Sequence, residues 1–265
     1  MLQFTRLFPS NLYFILLFMV ALISFQLNHL TVEFFVLFTL FIIVAFLKEK
    51  QRAFVWMTIA YFLGEFLHLY ANRFLNEMDL PIQTVFIVEK LLLLFPIFSI
   101  LYVSYKFKQN RSFILMRTFS KEAISEWYRS SRRKRNFLLS FTILALLLSF
   151  ISLVQQSFSI TKLGHFLLFV LISSIIEEIL WRGLLMQAMH TLTNKWTAVI
   201  LSSICYGCSY LMYGYSIGIC FVFALSGVLY ALMTLYYKNL IPAFLCHYSI
   251  LSLVILVKMI PFPFL

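Results

Sequence analysis

A chain of 265 residues that is 62% hydrophobic and only 12% charged carries more apolar surface than a soluble core can hide, which excludes an ordinary globular domain. Its apolar runs have transmembrane length and short polar breaks between them, the pattern of an all-α, polytopic membrane helical bundle with eight or nine transmembrane helices. The net charge of +11 points to nucleic acid only if it is spread over a surface. It is concentrated instead between Lys106 and Arg135, where ten Lys and Arg face only Glu122 and Glu126. Such a segment is held in the cytoplasm and touches anionic lipid headgroups, so no nucleic-acid partner is expected.

In chain order, hydropathy predicts spans at residues 11–28, 32–47, 53–70, 84–105, 137–154, 165–185, 197–213, 216–237 and 240–258. The first follows Arg6 and has no small-x-small cleavage site before Gln26 to His29, so it reads as a retained span. The third carries Glu65 and His68 within FLGEFLHLY, an ExxH spacing that also occurs in metal-binding bundles. That arrangement needs a second such motif, so interhelical hydrogen bonding or the lining of a cavity is the expected role. Early in the fourth span, Glu89 and Lys90 are expected to snorkel outward or to pair with neighbours. Basic breaks at Lys48, Lys50 and Arg52 and at 106–136 alternate with the acidic break at Glu77 and Asp79. The N-terminus is therefore expected in the cytoplasm, in a plasma membrane of bacterial type. Three regions follow: a four-helix transmembrane part at 1–105, the basic loop at 106–136, and a core at 137–265. Cys205, Cys208, Cys220 and Cys246 lie in or beside spans and read as small apolar residues, and the one CxxC has no second pair to make a zinc site.

The sixth span contains SSIIEEILWRGLL, residues 173–185. Charges at such depth cost roughly 2.5–3.5 kcal/mol each on insertion scales and normally face a protein interior or a wet cavity. Glu178 and Arg182 have the i,i+4 spacing that lets an acid and a base meet on one helical face. Glu177, about 100° further round the helix, is left without a local partner. An unpaired acid in an apolar cavity suits a general base that must take a proton from water. A packing network without chemistry accounts for one buried pair, but not for the extra Glu177. In the last span, His247 of NLIPAFLCHYSIL is placed to hold a water or a peptide carbonyl opposite Glu177 if the two helices meet.

These residues resemble the CPBP intramembrane proteases, also called the Abi or type II CAAX prenyl endopeptidase family. The first motif, EExxxR, reads Glu177, Glu178 and Arg182, followed by Gly183 and Leu184. Residues 226–249, SGVLYALMTLYYKNLIPAFLCHYS, are similar to the family's Gly-containing helix, polar turn and His-bearing helix. The resemblance covers roughly residues 137–258 and leaves the first half of the chain without a counterpart. It implies that Glu177 activates water, that Glu178 and Arg182 support it, and that His247 is the histidine of an HxxxN motif. Two positions depart. The FxxxH motif falls on YGCSY, with Tyr206 for the Phe and Tyr210 for the histidine, and Leu251 stands where the Asn belongs.

In the family the first histidine acts with the glutamate on water, and the second histidine and the Asn stabilise the oxyanion. A tyrosine donates a hydrogen bond but is no base at neutral pH, and leucine donates nothing. No cofactor is expected: Glu177 and His247 are the only clear candidate ligands, fewer than a catalytic zinc takes, and a divalent metal is poorly supported. The first expected function is an intramembrane endopeptidase that cleaves a membrane-associated polypeptide, with Glu177, His247 and Tyr210 at the reacting bond. The alternative is a catalytically degraded pseudoprotease that acts as a scaffold or regulator for a partner enzyme. A proton-coupled transporter using Glu65, Glu89 and Glu177 lacks the matching pair of interrupted helices.

Overall fold

The computed structural model describes residues 11–107, 143 and 160–256. Among them the chain is helical throughout, with no strand. The expected span at 137–154 and nearly all of the basic loop lie outside the described residues.

The N-terminal half begins with α1 (Leu12–Gln26), α2 (Leu30–Ile43, prolonged by a 3-10 turn at Val44–Phe46) and α3 (Glu49–Asn76). The turn between α1 and α2 is tight enough to need a left-handed residue, and Asn28 supplies it with φ 59. The fourth predicted span is two helices in line, α4 (Ile82–Leu92) and α5 (Leu94–Lys106). Pro96 explains the break, because it lacks the N–H that would bond back to Leu92 and its ring crowds that carbonyl. α5 lies against α3 at very close range: a Cβ on Gly64 would stand 2.3 Å from the Cα of Pro96.

The C-terminal half starts with α6 (Ile160–Glu178), which runs without interruption through a π-helical turn (Ile179–Leu185) into α7 (Met186–Leu192). Then come α8 (Lys195–Cys208), a 3-10 turn (Leu211–Tyr213), α9 (Ile217–Tyr237) and α10 (Ile241–Leu256). Side-chain oxygens cap three of these starts: Asn194 accepts from the Thr197 N–H at 2.8 Å, Ser216 from that of Ile219, and Asn239 from that of Ile241 at 2.8 Å.

Four stretches are long and apolar enough to cross a membrane: Glu49–Asn76, Ile82–Lys106, Leu163–Leu192 and Ile217–Tyr237. Three shorter apolar helices accompany them, Leu12–Gln26, Leu30–Phe46 and Ile241–Ile255. Phe35, Phe38, Phe41 and Phe46 stand outward on α2 and its 3-10 extension, a face that only lipid or another apolar surface accommodates. The chain is an integral membrane protein.

The two halves pack as one bundle. α4 lies on α6, α5 on the π turn, α3 on α7 and α1 on α8. At one end a short relay of amides ties three elements together: the Gln51 side chain donates to Asn11 Oδ1 at 2.7 Å, and Asn11 donates to the carbonyl of Leu192 at 3.3 Å.

The α3–α5 contact yields a direct test. Gly64→Ala inserts a methyl group where backbone already lies, and overpacking of this kind costs about 1–3 kcal/mol. Gly164→Ala on α6 has nothing within 4 Å of the new Cβ. Thermal unfolding in detergent is expected to show a lowered midpoint for the first variant and an unchanged or raised one for the second, because Ala favours the helix over Gly.

Candidate active site

The last turn of α6 and the π turn carry the acidic pair and its arginine into the bundle. Glu178, Arg182 and His247 are each no more than 2% exposed. Glu178 Oε1 lies 3.2 Å from Arg182 Nη1 and accepts a hydrogen bond at 2.9 Å from His247 Nδ1 on α10. The contact with Arg182 is an ion pair by distance, without hydrogen-bond alignment. Arg182 turns its other amino group, Nη2, to the carbonyl of Gly227 at 3.3 Å, and its guanidinium lies over the rings of Tyr206 at 4.2 Å and Tyr230 at 5.1 Å. Gly227 eases this approach, since a Cβ there would come within 3.1 Å of Arg182 Nη2 and 3.0 Å of the Tyr206 ring. The His247 ring stacks on Tyr230 at 4.8 Å.

From this core a file of hydroxyls leads to Glu177. His247 Nε2 is 3.2 Å from the Tyr206 hydroxyl, which is 3.2 Å from the Tyr210 hydroxyl, which donates to Glu177 Oε2 at 2.7 Å. The Tyr210 proton is committed to Glu177, so Tyr206 has one proton for two neighbours.

The other oxygen of Glu177 corrects the sequence-based expectation. Glu177 is not left unpaired: Lys90 Nζ, from α4, lies 3.0 Å from Oε1, with both side chains buried. Lys90 does not snorkel outward. It sits 3.5 Å from the Tyr213 hydroxyl and over the rings of Tyr213 at 4.8 Å and Tyr210 at 5.8 Å. The physical reason is that an ammonium and a carboxylate on adjoining helices each lower the other's cost of burial, while neither has an opposite charge one turn away on its own helix. Sequence analysis saw both odd charges but did not match them across the halves. It also missed Tyr213, the Gly227 carbonyl and the π turn, none of which leaves a charge or motif signal.

Glu177, Tyr210 and His247 therefore do converge, with His247 Nε2 at 3.7 Å from Glu177 Oε2. The ring nitrogens of His247 are, however, turned to Glu178 and Tyr206. Lys90, Glu177, Tyr210 and Tyr213 form a wall between two small cavities. One, of about 30 Å³, is polar and includes Gln26, Glu65 and His68; at roughly 15 Å³ per water it holds about two. The other, of about 50 Å³, is bounded by Phe86, Phe169, Ser173, Leu251 and Ile255. Leu251 gives it hydrocarbon where the resemblance asks for an amide. Glu65 and His68 pair with each other at 3.2 Å and line the polar cavity, one of the two roles expected for them. Among the described residues, no three His, Cys, Asp or Glu side chains form a set able to hold a metal ion.

Compared with known families, residues 159–252 match the family model described as type II CAAX prenyl endopeptidase, Rce1-like. The match lies within the stretch where the motifs resemble that family and contains Glu177, Glu178, Arg182, Tyr210, His247 and Leu251, but not Lys90. No curated protein and no solved structure matches the chain.

The weights of the buried contacts are separable. Arg182→Ala leaves Glu178 without its guanidinium, and breaking a buried pair from one side costs about 3–5 kcal/mol. Tyr206→Phe removes one hydroxyl from the file, at about 1–3 kcal/mol. Chemical or thermal unfolding of the two variants in detergent is expected to rank Arg182→Ala as clearly the more damaging.

Proposed function

We propose that this integral membrane protein, whose residues 159–252 are of the type II CAAX prenyl endopeptidase kind, has an intramembrane protease-like core that binds a membrane-associated polypeptide without cleaving it, as a scaffold or regulator of a partner enzyme. The observation that carries this reading is the engagement of both Glu177 oxygens, one by Lys90 at 3.0 Å and the other by Tyr210 at 2.7 Å. A carboxylate that is to draw a proton from water is the stronger base the fewer donors hold it, and here an ammonium and a phenol each donate to one of its oxygens.

The neighbouring positions support the same conclusion. Tyr210 donates to Glu177 where a histidine would share the base's work, and Leu251 offers no donor to an oxyanion. In other enzymes, loss of one oxyanion donor costs about 10²- to 10³-fold and loss of a general base about 10²- to 10⁴-fold. The glutamate, arginine and histidine that remain bind one another, which preserves the fold of the site. In this reading the N-terminus and the basic segment face the cytoplasm, where anionic headgroups balance the Lys and Arg side chains.

One observation favours turnover instead. The polar cavity reaches Glu177 and has room for water. An endopeptidase with Glu177 as base, Tyr210 and His247 beside the carbonyl, and Glu178 and Arg182 in support would require Lys90 to withdraw when substrate binds.

Reconstitution in liposomes with membrane-anchored polypeptides, including lipidated C-terminal tails, decides between them. The unaltered chain is expected to bind such a polypeptide and leave it intact, and Glu177→Gln to restore the phenotype of a deletion strain as well as the unaltered chain does. The triple variant Lys90→Met, Tyr210→His, Leu251→Asn is expected to gain measurable cleavage. Cleavage by the unaltered chain that disappears in a stably inserted Glu177→Gln variant overturns the proposal.

A further inference from the structure

Outside the family-matched segment, a groove of about 1190 Å³ runs along the second half of α3. It shares no lining residue with the two cavities beside Glu177. Its floor is one stripe of that helix, because Leu63, Phe66, Leu67, Tyr70, Arg73 and Glu77 recur at i, i+3, i+4, i+7, i+10 and i+14. The turn between α1 and α2, at Asn28 and Leu30, and Ser99 of α5 add to the lining. Phe34 of α2 stacks on Phe66 at 5.4 Å and fixes that part of the wall.

The chemistry of the groove changes along its length. From Leu63 to Tyr70 the stripe is hydrocarbon and aromatic, and from Asn72 to Glu77 it is polar. The distance from Leu63 to Glu77 is about 21 Å of helix, longer than the ~15 Å of hydrocarbon in one leaflet. At the polar end Arg73 and Glu77 are both exposed. Among the described residues neither forms an ion pair. They do not satisfy each other, and an Arg that precedes its acid by four residues is the weaker order of such a pair. Asn72 Oδ1 is buried with no donor. The last carbonyls of α3 add partial negative charge at the same place.

We propose that this groove binds one phospholipid with an ethanolamine headgroup, its acyl chain along Leu63, Phe66 and Leu67, its phosphate at Arg73 and its ammonium at Glu77 and Asn72 Oδ1. The bilayer supplies an amphipath whose parts follow in the order of the groove. A cation and an anion one helical turn apart match a zwitterion, whereas an anionic headgroup meets Arg73 and is repelled by Glu77 and the end of α3. The orphaned Asn72 oxygen separates the zwitterions: a primary ammonium has N–H bonds to give it, and a choline headgroup has none. The site lies at the end of α3 opposite Lys48, Lys50 and Arg52, so it is distinct from the attraction of basic residues for anionic headgroups. It takes no part in the chemistry at Glu177, and its test reads no cleavage.

The experiment uses the full chain, delipidated in detergent, and adds phosphatidylethanolamine, phosphatidylcholine or phosphatidylglycerol with identical acyl chains. Retained lipid is counted by native mass spectrometry, and thermal unfolding is followed in parallel. A single phosphatidylethanolamine per chain is expected to be retained, with a saturable rise in the unfolding midpoint. Its preference over phosphatidylcholine is expected to be about tenfold or more, the worth of one charge-assisted hydrogen bond. Arg73→Gln is expected to weaken retention of all three lipids, and Glu77→Lys to abolish the preference for ethanolamine and turn it toward phosphatidylglycerol. Arg52→Gln, exposed near the other end of α3, is expected to change neither readout. Equal retention of the three lipids by the unaltered chain, a preference of that chain for phosphatidylglycerol, or an ethanolamine preference that survives in Glu77→Lys overturns the proposal.

Discussion

Charge balance inside hydrocarbon is the constraint from which the arrangement of the bundle follows. An uncompensated carboxylate at this depth costs several kcal/mol, so each buried acid must find a cation within reach or lie beside water. Glu178 meets its cation one turn along the same chain segment. Glu177 cannot, and the requirement is met by Lys90 from the other half of the molecule. The Glu177–Lys90 contact is therefore at once an electrostatic necessity and a clamp of α4 on α6.

Small residues make that balance possible by letting backbones approach. Gly227 opens the space in which Arg182 lies between two tyrosine rings and reaches a carbonyl, and Gly64 lets α5 close on α3. A guanidinium stacked on aromatic faces retains much of its stabilisation in the absence of water, which suits Arg better than Lys at position 182. Tyrosine hydroxyls then carry hydrogen bonding from this dry core to Glu177.

Much of this was legible in residue order alone. The apolar runs give the helices because hydrophobicity of that length has few other uses, and the i,i+4 spacing of Glu178 and Arg182 predicts their contact. The motif spacing also brings Tyr210 and His247 to Glu177. The partner of Glu177 was not legible, because Lys90 lies in a different span and its reach depends on which helices neighbour one another. The break at Leu93 had a visible cause in Pro96. The lack of a hydrogen-bond partner at Glu33 had none, since an acid in an apolar run looks the same whether a donor faces it or not.

The π turn at Ile179–Leu185 sets the phase of everything that follows it. A π turn holds one residue more than the α-helical turn it replaces, so α7 is rotated by about 100° from where an unbroken α-helix would bring it. With that offset Met186, Met189 and Leu192 are buried, and α7 lies on α3. Removing a single residue from this turn would restore ordinary winding and change which side chains of α7 meet α3. The bulge works as a vernier, bringing two helical faces into register that uniform winding would leave a quarter-turn or more apart.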